Sequence, residues 1–154
     1  MRFRFAVLVA VTSFLTVVSP ALAGRSATSD WAFVSRMAFS VPLPAFIAAR
    51  ATGDPWFDWT TDGCSAPLIG DTGLSFDFRE SCLRHDFGYR NLKLLESRYG
   101  TGRKYWNATN RKRVDQQFLK DMKAHCKRRA LPLRPSCNWW ADTFFRAVRI
   151  AGGP

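Results

Sequence analysis

Phe78-Arg79-Glu80-Ser81-Cys82-Leu83-Arg84-His85-Asp86-Phe87-Gly88-Tyr89-Arg90-Asn91-Leu92 is the stretch on which the fold turns. Phe78, Cys82, His85, Tyr89 and Leu92 recur at intervals of 4, 3, 4 and 3, which sets them on one face of a helix. Arg79, Glu80, Arg84, Asp86, Arg90 and Lys93 fall between them and are expected on the other faces. The stripe contains an anomaly. His85 stands in the middle of an apolar row, where a polar group needs a partner.

A partner stands on the next helical pattern. Asp115, Leu119, Met122 and Cys126 step by 4, 3 and 4, flanked by Val114 and Phe118, in a helix that begins near Arg111 and is stopped by Leu131-Pro132. Antiparallel packing of the two helices would let an Asp115 oxygen accept the His85 ring N–H. That bond fixes the tautomer and leaves the other nitrogen free as a base. A purely structural His–Asp hydrogen bond in a core fits the same pattern, and both readings stand at this point.

Outward from this pair, Ser29-Asp30 can cap a helix through Trp31, Val34 and Met37 that Val41-Pro42-Leu43-Pro44 breaks. Ala45 to Ala51 reads as a second helical piece, and Cys137 to Ile150 as the last helix. Between Thr52 and about Leu74 lies a loop rich in Gly, Pro, Asp, Thr and Ser, and Gly100 and Gly102 mark a second, basic loop. No run alternates with period two, so the expected fold class is all-α: a small helical domain whose two long helices carry the His/Asp pair.

The chain has 154 residues, a net charge of +11, 6 Trp and 13 Phe. Such an aromatic content excludes a disordered chain, and the length excludes two full-size domains. The charge calls for an anionic partner without choosing among nucleic acid, acidic polysaccharide and lipid. Residues 1–23 read as a secretory signal peptide: Arg2 and Arg4, an apolar run from Phe5 to Val18, then Ala21-Leu22-Ala23 as the cleavage site. An N-terminal anchor is the competing reading, for which the run is short. Removal of Arg2 and Arg4 with the peptide takes the charge from +11 to +9. Residues 24–154 form the expected domain, with 24–54 as an N-terminal helical segment open to processing.

Secretion makes disulfides of Cys64, Cys82, Cys126 and Cys137. Three connectivities are open, and the expectation is the pairing of neighbours, Cys64–Cys82 and Cys126–Cys137. Zinc is disfavoured by the lack of a C-x-x-C and the presence of only two His. A Cys64–Cys82 bond would draw the Asp62-Gly63 turn against the helix near His85 and Asp86. Asp62, the Gly63 carbonyl and Asp86 then make a set of hard oxygens suited to one Ca2+. Asp62 also fits an ordinary Asp-Gly turn.

Phe57-Asp58-Trp59-Thr60-Thr61-Asp62-Gly63-Cys64, Cys82 to Asn91, and Arg113-Val114-Asp115-Gln116-Gln117-Phe118 together resemble the secreted phospholipases A2 of bacteria and fungi. The resemblance is dense from Phe57 to Cys126 and continues into the last helix. It implies calcium-dependent hydrolysis of the sn-2 ester of glycerophospholipids, with His85 as general base and Asp115 holding its ring. Tyr89 would support the pair by hydrogen bonding, and Asp62, the Gly63 carbonyl and Asp86 would bind one Ca2+. It also implies the same two disulfides, and the expected product is a secreted, extracellular protein at a phospholipid membrane or micelle surface, taken as a monomer although nothing in the sequence marks the oligomeric state. The 30-residue separation of His85 and Asp115 exceeds that of compact bacterial members, with the extra residues in the basic loop.

Two other classes compete. A small basic ribonuclease would use His85 and His125 as acid and base, but gives Asp62-Gly63-Cys64 no role. A non-catalytic membrane- or receptor-binding protein would keep the scaffold without turnover. Weaker signals are the glycosylation sequon Asn107-Ala108-Thr109 and the pair Tyr105-Trp106, which fits a headgroup level as well as an ordinary loop.

Overall fold

The computed structural model describes residues 24–63 and 76–152, and those residues contain helices and no strand. Helix α1 (Ala27–Ser35) starts at a capping box in which the side chains of Ser26 and Ser29 bond each other's backbone N–H. The cap is thus three residues ahead of the Ser29 expected. A π-helical turn, Arg36–Ser40, extends it to Val41-Pro42. Helix α2 (Leu43–Ala51) keeps Pro44 in its first turn, where a missing N–H removes no helical bond.

Helix α3 (Arg79–Tyr99) and helix α4 (Ala108–Lys127) are the two long helices. A 3-10 turn, Leu131–Leu133, leads into α5 (Arg134–Ala151). Helices α3 and α4 run antiparallel: Tyr89 meets Arg111, His85 meets Asp115, Arg84 meets Asp121 and Phe78 meets His125. Gly88 sets their closeness, because a Cβ there would sit 2.8 Å from a Val114 methyl. The helices therefore approach one turn from His85, within side-chain reach of Asp115.

One core lies between α3, α4 and α5 around Phe78, Phe118, Met122 and Phe144. The other joins the N-terminal helices to the opposite side of α3 through Val34, Phe46, Phe57, Phe87 and Leu95. Each fully buried phenylalanine contributes about 1.5–3 kcal/mol. The Cys126–Cys137 disulfide ties the end of α4 to the start of α5, as expected. Cys64 lies outside the described residues, and the expected Cys64–Cys82 pair with it; Cys82 is not a free thiol. Residues 1–23, read as a signal peptide, are also outside.

Arg84 and Asp86, which fall between the stripe residues, are both buried. Arg84 is 3% exposed and forms a two-armed ion pair with buried Asp121, to which Arg84 Nε donates at 2.8 Å. It also donates to the Val41 carbonyl, which fastens the N-terminal segment to α3. Tyr105 is buried against Trp31, and Trp106 is half-buried on Tyr89. The loop bends inward because Glu96 accepts the backbone N–H groups of Arg103, Tyr105 and Trp106 at 2.7, 2.6 and 3.1 Å. Asn107 caps α4 through Asn110 N–H, while its Nδ2 donates to two carbonyls. A glycan on that nitrogen would have to displace at least one of these bonds.

Candidate active site

His85 is buried on α3, with its ring between Tyr89 and Phe118 at centroid distances of 4.4 and 4.7 Å. Its Nε2 lies 2.9 Å from Asp115 Oδ1. Asp115 is fully buried on α4. Burial alone pushes its carboxyl up, but hydrogen bonds from His85, Arg149 and Tyr89 outweigh that and hold it below the usual carboxylate range. An ionised carboxylate only accepts, which assigns the ring proton to Nε2 and leaves the Nδ1 lone pair free. Nδ1 faces the other way, 4.0 Å from Asp86 Oδ1.

Tyr89, one turn after His85, donates to Asp115 Oδ1 at 2.7 Å. Burial and the neighbouring Asp115 raise its phenol far above the ordinary value, so it remains a donor. Arg149 on α5 donates to Asp115 Oδ2 at 2.7 Å. The carboxylate is thus held from α3 on one oxygen and from α5 on the other.

Asp86 points into a cleft of about 370 Å³ lined by Asp58, Asp62, Asp86, Tyr89, Arg90 and Lys93. Its Oδ2 accepts from the Thr61 hydroxyl and, at 3.2 Å, from Asp62 N–H. Burial raises the Asp86 carboxyl above its usual range; the Thr61 bond opposes this, and the Asp62 charge adds to it. The Asp62 side chain is mostly exposed, with Arg90 at 3.6 Å. Gly63 takes φ +72, a left-handed conformation that glycine adopts without a Cβ clash. Asn91 fixes this segment. It is fully buried, accepts Asp58 N–H at 2.9 Å, and donates to the carbonyls of Asp58 and Phe87 at 2.7 and 2.9 Å.

The acids and carbonyls here are hard oxygen donors of the kind that calcium takes, and the like charges of Asp62 and Asp86 favour a cation between them. Among the described residues no three His, Cys, Asp or Glu side chains converge as a metal cluster. A cation here would therefore draw on backbone carbonyls and water as well as the two carboxylates.

The structure brings His85, Asp115 and Tyr89 into one network and places Asp62, Gly63 and Asp86 beside it. His125 is elsewhere. It packs on Phe78 and accepts from Arg129 Nε, and burial with the nearby arginines lowers its pKa. Phe78 lies two helical turns, about 10 Å, along α3 from His85. The two histidines therefore do not face one substrate, which removes the geometry a two-histidine ribonuclease requires. Sequence reading missed Thr61, Asn91, Arg111 and Arg149. Arg111 stands four residues before Asp115, a usable helical signal, whereas nothing local marks Arg149.

Residues 34–152 match the family described as prokaryotic phospholipase A2. A protein of Beauveria bassiana named secretory phospholipase A2 is 37% identical over 119 residues, covering 77% of this chain and 56% of that protein. One of Arthroderma benhamiae with the same name is 34% identical over 126 residues, covering 79% of this chain and 78% of that protein. The chain thus spans little more than half the length of the first relative.

Proposed function

The chain belongs to the prokaryotic phospholipase A2 family, and on that footing we propose that it is a secreted, calcium-dependent phospholipase A2. It hydrolyses the sn-2 ester of a glycerophospholipid and releases a fatty acid and a lysophospholipid. The observation that carries this reading is the buried His85–Asp115 pair, whose second ring nitrogen faces the side of Asp86.

His85 Nδ1 takes a proton from water as the water oxygen attacks the ester carbonyl. Asp115 stabilises the imidazolium that forms, and Tyr89 keeps Asp115 in place. The imidazolium then gives its proton to the departing glycerol oxygen as the ester C–O bond breaks. General base catalysis of this kind supplies about 10²–10⁴ in rate. Asp62, Asp86 and the Gly63 carbonyl would hold one Ca2+, which supplies positive charge against the substrate phosphate and the developing oxyanion.

Secretion rests on the reading of residues 1–23 and on the names of the relatives. Among the described residues no helix is long and apolar enough to cross a membrane. The enzyme acts as a monomer at the lipid surface. The test is fatty-acid release from mixed micelles of defined phospholipid, with calcium and with EDTA. Calcium-dependent release from the sn-2 position is expected. Release undiminished by EDTA removes the metal role, and liposome binding without release makes the chain a binding scaffold.

A further inference from the structure

Asp115 has more partners than orienting one imidazole requires. Oδ1 is shared by His85 and Tyr89. Oδ2 accepts from Arg149 Nη1 at 2.7 Å, with Arg111 Nε at 3.8 Å. A carboxylate bonded through one oxygen can still turn about its Cβ–Cγ bond, a broad and soft torsion. A charged donor on the second oxygen, from a different direction, removes that freedom.

Arg149 is itself braced. Arg111 Nη2 donates to the main-chain carbonyl of Arg149 and lies 3.4 Å from that of Val148, while its Nε donates to Tyr89 OH at 3.2 Å. A cation at the carbonyl end of a helix is favourable. Gly152 continues the contact, since a Cβ there would stand 2.7 Å from Tyr89 OH. Helix α5 has other anchors besides Arg149: its first eleven residues contain the Cys126–Cys137 bond and buried Ala141 and Phe144.

We infer that Arg149 is a positioning residue for the hydrolysis: from the last turn of α5 it sets the plane of the Asp115 carboxylate so that Oδ1 faces His85 and Tyr89, with Arg111 as the brace that holds Arg149 there. This rests on the proposed role of His85 and Asp115 as the catalytic pair.

The experiment compares Arg149→Met, Arg149→Gln and Arg149→Lys with the wild type in calcium-saturated micelle assays, by thermal melting, and by proton NMR of the His85 ring N–H. A misplacement of the dyad of about 1 Å costs up to about a hundredfold. Arg149→Met and Arg149→Gln should therefore lose about tenfold to a hundredfold in kcat at a temperature where both are fully folded, with KM unchanged and the melting temperature lowered, and Arg149→Lys should recover most of the rate. The downfield His85 Nε2–H signal should be sharp in wild type and Arg149→Lys and broadened by exchange in the other two. An unchanged kcat, an effect confined to KM, or a kcat that returns to the wild-type value per folded molecule well below both melting transitions overturns the inference. The ring proton needs no turnover. If the wild type released no fatty acid, the proposed function would fall, while an unaltered ring signal in Arg149→Met would separately overturn the role of Arg149.

Discussion

Asp115 and Asp86 lie on either side of the same imidazole, and the chain treats them in opposite ways. Asp115 is sealed inside and receives donors from His85, Tyr89 and Arg149, so its charge is favoured despite burial. Asp86 is also largely buried, but it has the Thr61 hydroxyl and one backbone N–H against the charge of Asp62, so its charge is disfavoured. Burial is common to both. The number and charge of the donors decide the direction. One side of His85 is complete within the protein, and the other leaves the Asp86 charge short of donors, which is where the proposed Ca2+ would sit.

The largest expected effect removes the group that both sides share. His85→Ala should lower kcat by about 10²–10⁴ in fatty-acid release, and normal turnover in that variant would make the base assignment wrong. Next is the pair of neutralisations, followed by chemical denaturation without calcium. Asp115→Asn withdraws the charge from a buried network and should cost about 3–5 kcal/mol. Asp86→Asn should leave stability equal or higher, because a disfavoured charge is removed, yet should raise the calcium concentration needed for half-maximal activity. Equal destabilisation by the two would break the contrast.

Asn91→Ala deletes the two hydrogen bonds that fix the Asp58 segment to α3 and a third to the Phe87 carbonyl within that helix. It should cost about 1–3 kcal/mol and weaken calcium binding measured by titration calorimetry, with kcat at saturating calcium nearly retained. If calcium affinity is unchanged, Asn91 does not position the acid loop.

The smallest effect is on pH. The folded pKa of Asp115 is lowered, so the stability it contributes is full above the ordinary carboxylate value and is lost as pH falls through the lower, folded value. Asp86 has the opposite sign: its raised folded pKa removes stability as pH rises through it in calcium-free protein. Melting curves between about pH 2 and 7 should show the acid loss flattened in Asp115→Asn and kept in Asp86→Asn.

Much of this was legible in the chain. The 4, 3, 4, 3 stripe through His85 and the 4, 3, 4 stripe through Asp115 are local features, and both fall on the long helices. Charge placement was less legible. Arg84 sits one residue before His85, off the apolar stripe, and is buried against Asp121 on the facing helix. Its partner is 37 residues away, and spacing along one helix carries no information about a residue on another. The placement of Tyr105 and Trp106 was open in the sequence for a similar reason, since Glu96 draws their loop inward through backbone bonds that any residue type would make.

The sequence by itself determined the helical class, the face on which His85 and Asp115 each lie, and the presence of acids in the loop ahead of the His helix. These depend on periodicity and residue type, which are local. The tertiary structure decided how closely α3 and α4 approach, through the absence of a Cβ at Gly88 against Val114. It also decided that Arg149, 34 residues beyond Asp115, reaches that carboxylate from a third helix. The direction in which each acid's charge is favoured depends on such distant donors, so it emerges only when the helices are packed.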